Sequence, residues 1–193
     1  MKTYSKISLA AAALALLGMA GSQMRGEDGK QSDGRWKQLV IDVANNARTS
    51  ALIQVNATDT LPKRGATFIV NGKIYPGGTI PTGNGFNIDS AGSIGTSVTR
   101  ATFNFDASQQ FTGGDPLLTS TQDYLFSPAG ALNGEDSLMS GGQESILAST
   151  HRVVLGGTGI YRGTIGEVKQ EVLGANSTGF LNFRFTFTIR TPE

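Results

Sequence analysis

The sequence predicts an all-β protein, and three observations lead to this prediction. Glycine supplies 26 of the 193 residues, about twice its ordinary share of ~7%, and many of these glycines separate short β-prone runs. Residues 181–190 alternate strictly between apolar and polar side chains, the period of a strand with one buried face. After residue 36, no segment keeps a helical period over ten residues. Short strands joined by glycine-rich turns are typical of a barrel or a sandwich.

The N-terminus has the layout of a secretory signal peptide over residues 1–20. Lys2 and Lys6 supply positive charge, an apolar stretch follows, and Gly18-Met19-Ala20 places small residues at a cleavage site. The apolar stretch from Ile7 to Ala20 has 14 residues, whereas a transmembrane helix needs ~20. We therefore expect cleavage rather than a retained anchor, which predicts a secreted or periplasmic protein with no stable membrane anchor.

The rest of the chain divides into a polar leader and one folded domain. Residues 21–35 contain almost no apolar side chain, which predicts a disordered leader before a domain at 36–193. Without Lys2 and Lys6, 14 basic residues face 15 acidic ones. No basic patch stands out, so a nucleic-acid partner is not expected. The chain has no cysteine, which excludes disulfides and thiolate chemistry.

Short β runs separated by turn residues continue along the domain. Asn71-Gly72 lies between two such runs and predicts a type I′ hairpin turn, because both central residues of that turn need a positive φ. Long loops are expected at 77–93, 107–120 and 128–144. The strands predicted before the last one are 38–44, 50–57, 66–70, 73–76, 95–106, 121–127 and 145–155.

The glycines that follow Leu155 allow two interpretations. A dinucleotide-binding unit would need a helix directly after them. Gly163, Gly166 and the β-branched residues between them oppose a helix, and Arg162 stands where the fingerprint needs its third glycine. The second interpretation is a tight turn between two strands, made by Gly156, Gly157, Gly159 and Gly163. We adopt the second interpretation and expect no cofactor.

This glycine turn and the strand after it resemble a known family. Residues 155–168 read Leu-Gly-Gly-Thr-Gly-Ile-Tyr-Arg-Gly-Thr-Ile-Gly-Glu-Val, and an aromatic-rich strand follows at 180–189. This pattern, within residues 150–190, is similar to the C-terminal hairpin of the allene oxide cyclase and dirigent superfamily. The resemblance implies a single antiparallel eight-stranded barrel with a hydrophobic cavity. It also makes a homo-oligomer plausible, since family members assemble as dimers or trimers.

The resemblance suggests what the cavity would do. The family includes a cyclase of a fatty-acid epoxide, and proteins that orient phenoxy radicals during coupling without oxidising them. We therefore expect a small hydrophobic molecule in the lumen as the partner, held so that its cyclisation or coupling is steered, without a cofactor. Whether the protein is an enzyme stays open. The alternative is a non-catalytic structural or interaction module that acts through its long surface loops.

Aromatic residues are the candidates for ligand binding. Phenylalanines alternate with polar residues in the last predicted strand and in the strand at 95–106, so one face of each would point into the barrel. The simpler interpretation is that they only fill the core. The candidate ligand-binding residues are Phe103, Phe105, Phe183, Phe185 and Phe187.

Three polar residues are candidates for catalysis. His151, the only histidine, could exchange a proton at the barrel mouth or could be an exposed strand residue. Asp42 interrupts an apolar run and would lie either outside the barrel or in the cavity, where a carboxyl group could act as an acid. Tyr124 is the third candidate. With one histidine and no cysteine, no metal site is expected, and the resemblance itself assigns no catalytic residue.

Overall fold

The computed structural model describes residues 35–107, 118–126, 135–145 and 148–191. The predicted signal peptide and all of the predicted leader except Arg35 lie outside these ranges. Eight strands follow one another along the chain, with a 3-10 turn at Gly159–Tyr161 between the sixth and the seventh. The strands are β1 Lys37–Ile53, β2 Thr67–Pro76, β3 Gly95–Phe103, β4 Leu118–Phe126, β5 Asp136–Glu144, β6 Thr150–Thr158, β7 Ile165–Ala175 and β8 Leu181–Arg190.

The strands close into one antiparallel barrel. Each strand pairs with its neighbour in sequence, and β8 pairs with β1, where Ile41 lies opposite Phe185. Closure removes the exposed edges that an open sheet would leave. The predicted all-β fold and the eight-stranded barrel are therefore confirmed. Among the described residues, we find no helix with the length and apolar character needed to cross a membrane.

The main hydrophobic core lines the inside of this barrel. The alternation predicted for the last strand is confirmed, because Phe183, Phe185, Phe187 and Ile189 of β8 are all at most 5% exposed. They pack against apolar residues that the other strands direct inward, among them Ile41, Ile74, Leu138, Val154 and Val168. Alternate residues of a strand point to opposite faces, so the period of the sequence alone selects the inward set on β8.

A second, smaller core lies on the outside of the barrel. The long segment between β2 and β3 folds back over the outer wall and buries Ile80 and Ile88 against Tyr75, Ala44 and Leu173. The hydroxyl of Tyr75 donates to the backbone oxygen of Ile88 at 2.9 Å. The predicted loop at 77–93 therefore contains no strand, yet it is packed against the barrel.

The prediction of a hairpin turn at Asn71-Gly72 is wrong. Both residues lie in the middle of β2, paired with β1 on one side and with β3 on the other. A Cβ atom at Gly72 would lie 2.7 Å from Oγ of Ser97 and 2.8 Å from Cγ1 of Val43. Glycine is therefore needed here for a close approach inside the barrel. The predicted strands at 38–44 and 50–57 are instead joined in one long β1 with a bulge between Asn46 and Ala51.

The glycine turn begins later than predicted, and one strand was missed. Gly156 and Gly157 belong to β6, opposite Met139 and Leu138 of β5. Gly159 and Gly163, with φ of 56° and 72°, make the turn. An ideal Cβ at Gly157 would lie 2.7 Å from Cβ of Tyr161, so glycine lets the turn fold against the strand. β5 occupies the end of the segment 128–144, where the sequence predicted only a loop.

Candidate functional site

Polar side chains inside the barrel form a connected group, which we call the lumen cluster. They come from four adjacent strands, where they face inward at alternate positions. Each is at most 3% exposed. The members of the lumen cluster are Ser120, Gln122, Tyr124, Ser140, Glu144, Arg152 and Gln170.

An ion pair between Arg152 and Glu144 lies at the centre of the lumen cluster. Nη1 of Arg152 donates to Oε2 of Glu144 at 2.7 Å and to Oγ of Ser120 at 3.1 Å. Nη2 donates to Oε1 of Gln122 at 3.0 Å. The guanidinium carbon lies 5.6 Å from the ring centroid of Phe185, within cation–π distance. A dry ion pair needs such additional partners to offset the loss of water.

Glu144 fixes the orientation of two glutamine amides. Nε2 of Gln170 donates to its Oε1 at 3.1 Å, and Nε2 of Gln122 donates to its Oε2 at 3.2 Å. A carboxylate offers only acceptors, so both NH₂ groups must face it and both amide oxygens must face away. The oxygen of Gln122 accepts from Arg152 and Tyr124. The oxygen of Gln170 is buried and has no partner among the residues that the structure describes.

Tyr124, one of the predicted catalytic residues, belongs to this cluster. Its hydroxyl donates to Oε1 of Gln122 at 2.6 Å, and its ring meets Phe185 and Phe187 edge-on at centroid distances of 5.3 and 5.0 Å. Burial raises the pKa of Tyr124 to about 12, and the nearby charge of Arg152 offsets this only in part. The phenol therefore keeps its proton at neutral pH, and this one proton is donated to Gln122.

Several buried polar atoms of the lumen, including this Gln170 oxygen, have no hydrogen-bond partner among the described residues. They are Nε of Arg152, Oε1 of Gln170, Oγ1 of Thr150 and Oγ of Ser97. Buried polar atoms are almost always paired in proteins, and an exception calls for a water molecule or a ligand. The lumen therefore offers an apolar wall together with unused donors and acceptors.

Asp42 lies outside the barrel, the first of the two placements that the sequence allowed. Its side chain is completely buried between the outer wall and the segment after β2. Oδ2 accepts from the backbone N–H groups of Gly78 and Ile80, both at 2.9 Å, and Nε of Arg184 donates to Oδ1 at 2.8 Å. This hydrogen bond also raises the pKa of Arg184. Asp42 therefore anchors the segment at 77–80 and does not meet the lumen cluster.

His151 is also separated from the lumen cluster. It is an exposed residue of β6, opposite Lys169 of β7. Its neighbour Arg152 faces inward, so the side chain of His151 faces outward. The three predicted catalytic residues are thus not brought together, and Tyr124 alone lies in the lumen.

The five predicted ligand-binding phenylalanines fall into two groups. Phe183, Phe185 and Phe187 line the lumen. Phe103 closes β3 and packs against Phe68 at a centroid distance of 5.9 Å, while Phe105 lies beyond the strand and is 48% exposed. Phe103 and Phe105 border an open cleft of about 520 Å³, together with Arg64, Thr119, Gln143 and their neighbours. A ligand in the lumen and a ligand in this cleft would therefore meet different aromatic residues.

The sequence missed most of the lumen cluster. Glu144 lay in the segment predicted as a loop. The apolar residues next to Arg152 would predict that they face the core and that Arg152 faces solvent, which is the reverse of the observed arrangement. Val153 and Leu155 are more than half exposed, whereas Arg152 is 3% exposed. The sequence of β4 gave no signal either, because the outward residues Thr119, Thr121 and Asp123 are as polar as the inward Ser120 and Gln122. The described residues contain no group of three His, Cys, Asp or Glu side chains able to hold a metal ion.

Comparison with known proteins adds information on the fold. No protein-family model matches the chain, and no curated protein sequence matches it. Two solved structures of pterocarpan synthase dirigent proteins are similar to it, at 11% and 12% identity, with TM-scores of 0.62 and 0.60. The similarity covers 86% and 84% of this chain, and 90% and 99% of theirs.

A third solved structure, a pyocyanin demethylase, is also similar to this chain. It is 14% identical, with a TM-score of 0.51, over 79% of this chain and 99% of its own. At these identities the likeness concerns the fold alone. The likeness to the two dirigent proteins confirms the resemblance seen in the C-terminal hairpin, because the described strands form a barrel of the same type. The chain therefore has the eight-stranded barrel fold of the dirigent proteins.

Proposed function

We propose that this protein is a secreted, dirigent-like barrel that binds a small, mainly apolar molecule in its lumen and holds it in one orientation. The observation that carries this proposal is that one barrel contains both buried aromatic walls and buried polar atoms for which the described residues offer no partner. A cofactor-free protein of this kind would act by orienting its ligand, and orientation alone lowers barriers by up to ~7–11 kcal/mol in favourable cases.

Two further observations support this proposal. The interior of an eight-stranded barrel is either filled by side chains or just wide enough for one small ligand. The similar solved structures are named for a pterocarpan synthase dirigent protein and a pyocyanin demethylase, and both names refer to small organic molecules. Secretion is proposed from the signal-peptide layout of residues 1–20. A homo-oligomer is also compatible with the fold.

Methyl NMR on the intact protein can test where a ligand binds. Val154 faces the lumen, whereas the neighbouring Val153 and Leu155 are more than half exposed on the outer wall. We expect a neutral lipophilic probe, N-phenylnaphthylamine, to shift the methyl signals of Val154, Leu138 and Val168. Signals of Val153 and Leu155 are the internal control and should stay in place. Shifts confined to the outer residues, or no shifts at all, would overturn the proposal.

A second candidate function is an interaction module, and one observation favours it. Val153 and Leu155 of β6, together with Met139 and Ile165 on the adjacent strands, are 38% to 54% exposed. Exposed apolar patches often mark interaction surfaces. The packed segment at 77–93 is less suited to this role, because Ile80 and Ile88 are already buried. Shifts of the outer methyl signals on mixing with the native secretome would support this function.

A further inference from the structure

The open cleft beside Phe105 lies on the outer wall of the barrel and is separate from the lumen. Its floor is a row of residues paired across three strands, because Thr102 of β3 lies opposite Thr119 of β4, and Thr119 lies opposite Gln143 of β5. All three are exposed, and the strand spacing gives the row a length of ~9–10 Å. The cleft volume of about 520 Å³ lies within the ~300–1,000 Å³ of small-molecule sites.

One side of the cleft is aromatic. Phe103 and Phe105 both border it, and the ring of Phe105 is 48% exposed. The main chain here is fixed, since the N–H of Gly65 donates to the oxygen of Phe103 at 2.8 Å and the N–H of Phe103 donates to the oxygen of Ala66 at 2.9 Å. An exposed ring on a fixed backbone offers a flat apolar surface on which another ring can stack.

Arg64 gives the cleft a positive charge that no lining residue balances. The loop before β2 holds Arg64 at the border of the cleft, and the lining residues include no aspartate or glutamate. Among the described residues, the guanidinium of Arg64 has no ion-pair partner. The adjacent Asp106 accepts from the backbone N–H of Arg64 at 2.8 Å and pairs with Lys63 at 3.4 Å. The cleft therefore favours an anionic group.

The other polar groups of the cleft add hydrogen-bond donors. The amide oxygen of Asn104 accepts from the hydroxyl of Thr119 at 3.0 Å, which leaves the NH₂ group of Asn104 without a partner in the described part of the chain. Arg64 contributes a planar fork of N–H groups. Such a fork matches the two oxygens of a carboxylate, which accepts hydrogen bonds and donates none.

We propose that this cleft is a second binding site, for a small planar aromatic carboxylate. The carboxylate would pair with Arg64, and the aromatic ring would lie against Phe105. This site is additional to the proposed lumen site and does not depend on it, because the floor of the cleft faces outward whereas the lumen residues face inward. A ligand could therefore occupy the cleft whether or not the lumen is filled.

Two probes of nearly equal shape test this inference on the intact protein. 2-Naphthoate carries the charge, and 2-naphthalenemethanol replaces it by a hydroxyl group at the same ring carbon. The methyl signals of Thr102 and Thr119 report the cleft, and the methyl signals of Val154 report the lumen. We expect 2-naphthoate to shift the two threonine signals and to bind about fivefold more tightly than the alcohol. Added salt should reduce this advantage, because the pair is open to solvent.

Variants of Arg64 link the preference to its guanidinium. Arg64→Gln removes an exposed side chain that pairs with no described residue, so the variant should fold, and the affinity for 2-naphthoate should fall about fivefold. Arg64→Lys keeps the charge without the fork and should retain part of the affinity. Arg162→Gln is the matched control. It changes the net charge equally, but Arg162 lies in the exposed turn after β6 and should leave the affinity unchanged.

The outcomes that would overturn the inference are specific. Equal affinities for the two probes, or equal losses in Arg64→Gln and Arg162→Gln, would show that Arg64 does not bind the carboxylate. Naphthoate that shifts Val154 and leaves Thr102 and Thr119 in place, or that shifts none of them, would show that the cleft is not its site. Lumen binding is tested separately, since it depends on N-phenylnaphthylamine shifting Val154.

Discussion

Arg152 and Glu144 form an ion pair inside the barrel, 2.7 Å from Nη1 to Oε2, with both side chains at most 4% exposed. The two residues lie on adjacent strands, and each also contacts β4 through Gln122. The pair therefore ties β4, β5 and β6 together from within, and it supplies the lumen with polar groups but no net charge.

Removing one partner of this pair should be much more harmful than removing both. Arg152→Met leaves Glu144 as an unpaired buried charge, and we expect a loss of about 3–5 kcal/mol in the free energy of unfolding. The double variant Arg152→Met/Glu144→Gln removes both charges and should recover part of this loss. Urea denaturation of the two variants measures the difference. Equal stability would show that the charge of Glu144 is not what Arg152 compensates.

Tyr124 should make the protein sensitive to alkaline pH. The phenol has its pKa raised from 10.0 to about 12 by burial, so it stays protonated in the folded state while the unfolded chain ionises. The stabilisation is therefore complete below pH ~10 and is lost as the pH rises towards 12, a change of about 2–3 kcal/mol.

The variant Tyr124→Phe isolates this effect. Urea denaturation at a series of pH values should give a shallower loss of stability for the variant than for the native protein between pH ~10 and ~12. Part of the slope should persist, because burial also raises the pKa of Tyr75 and Tyr161. Identical slopes in the native protein and the variant would contradict the assignment to Tyr124.

Asp42 should matter for the outer segment and not for the lumen. In Asp42→Asn, one of the two oxygens that accept from Gly78, Ile80 and Arg184 is replaced by an NH₂ donor. We expect the free energy of unfolding to fall by about 3 kcal/mol. Hydrogen exchange at the amides of Gly78 and Ile80 should accelerate, while probe binding in the lumen stays unchanged. A selective loss of lumen binding or of a reaction, with normal exchange at both amides, would restore Asp42 as a catalytic candidate.

The matched control for this prediction is Asp89→Asn. Asp89 pairs with Arg48 at 3.0 Å, but both side chains are more than half exposed. The Arg48 hydrogen bond lowers the pKa of Asp89, yet solvent screens such an exposed pair, so Asp89→Asn should cost far less stability than Asp42→Asn. A loss as large as that of Asp42→Asn would contradict this comparison.

Gly72→Ala should destabilise the barrel through crowding. The new methyl group would lie 2.7 Å from Oγ of Ser97 and 2.8 Å from Cγ1 of Val43. We therefore expect the free energy of unfolding, measured by thermal denaturation, to fall by about 1–3 kcal/mol. Adding Ser97→Ala removes the first of these contacts and should recover part of the stability. Absence of any recovery would point to the contact with Val43 as the dominant one.

Local sequence signals succeeded where they did not depend on a partner strand. The last strand alternates with period 2, and its phenylalanines are buried as predicted, because alternation is a property of the strand itself. Asn71-Gly72 failed for the opposite reason. The pair favours a hairpin turn locally, but β1 and β3 bind it from both sides and keep β2 extended. Pairing with two neighbours outweighed the local preference.

The sequence by itself determined the all-β class, the turn that contains Gly159 and Gly163, and the aromatic face of β8, since these follow from backbone preferences and strand period. Only the tertiary structure decided which face of β6 is inside. Closing the barrel turns Val153 and Leu155 outward and Arg152 inward, where Glu144 from the preceding strand meets it. Both this pairing and the exclusion of Asp42 and His151 from the lumen depend on strand register and barrel closure, which no single segment encodes.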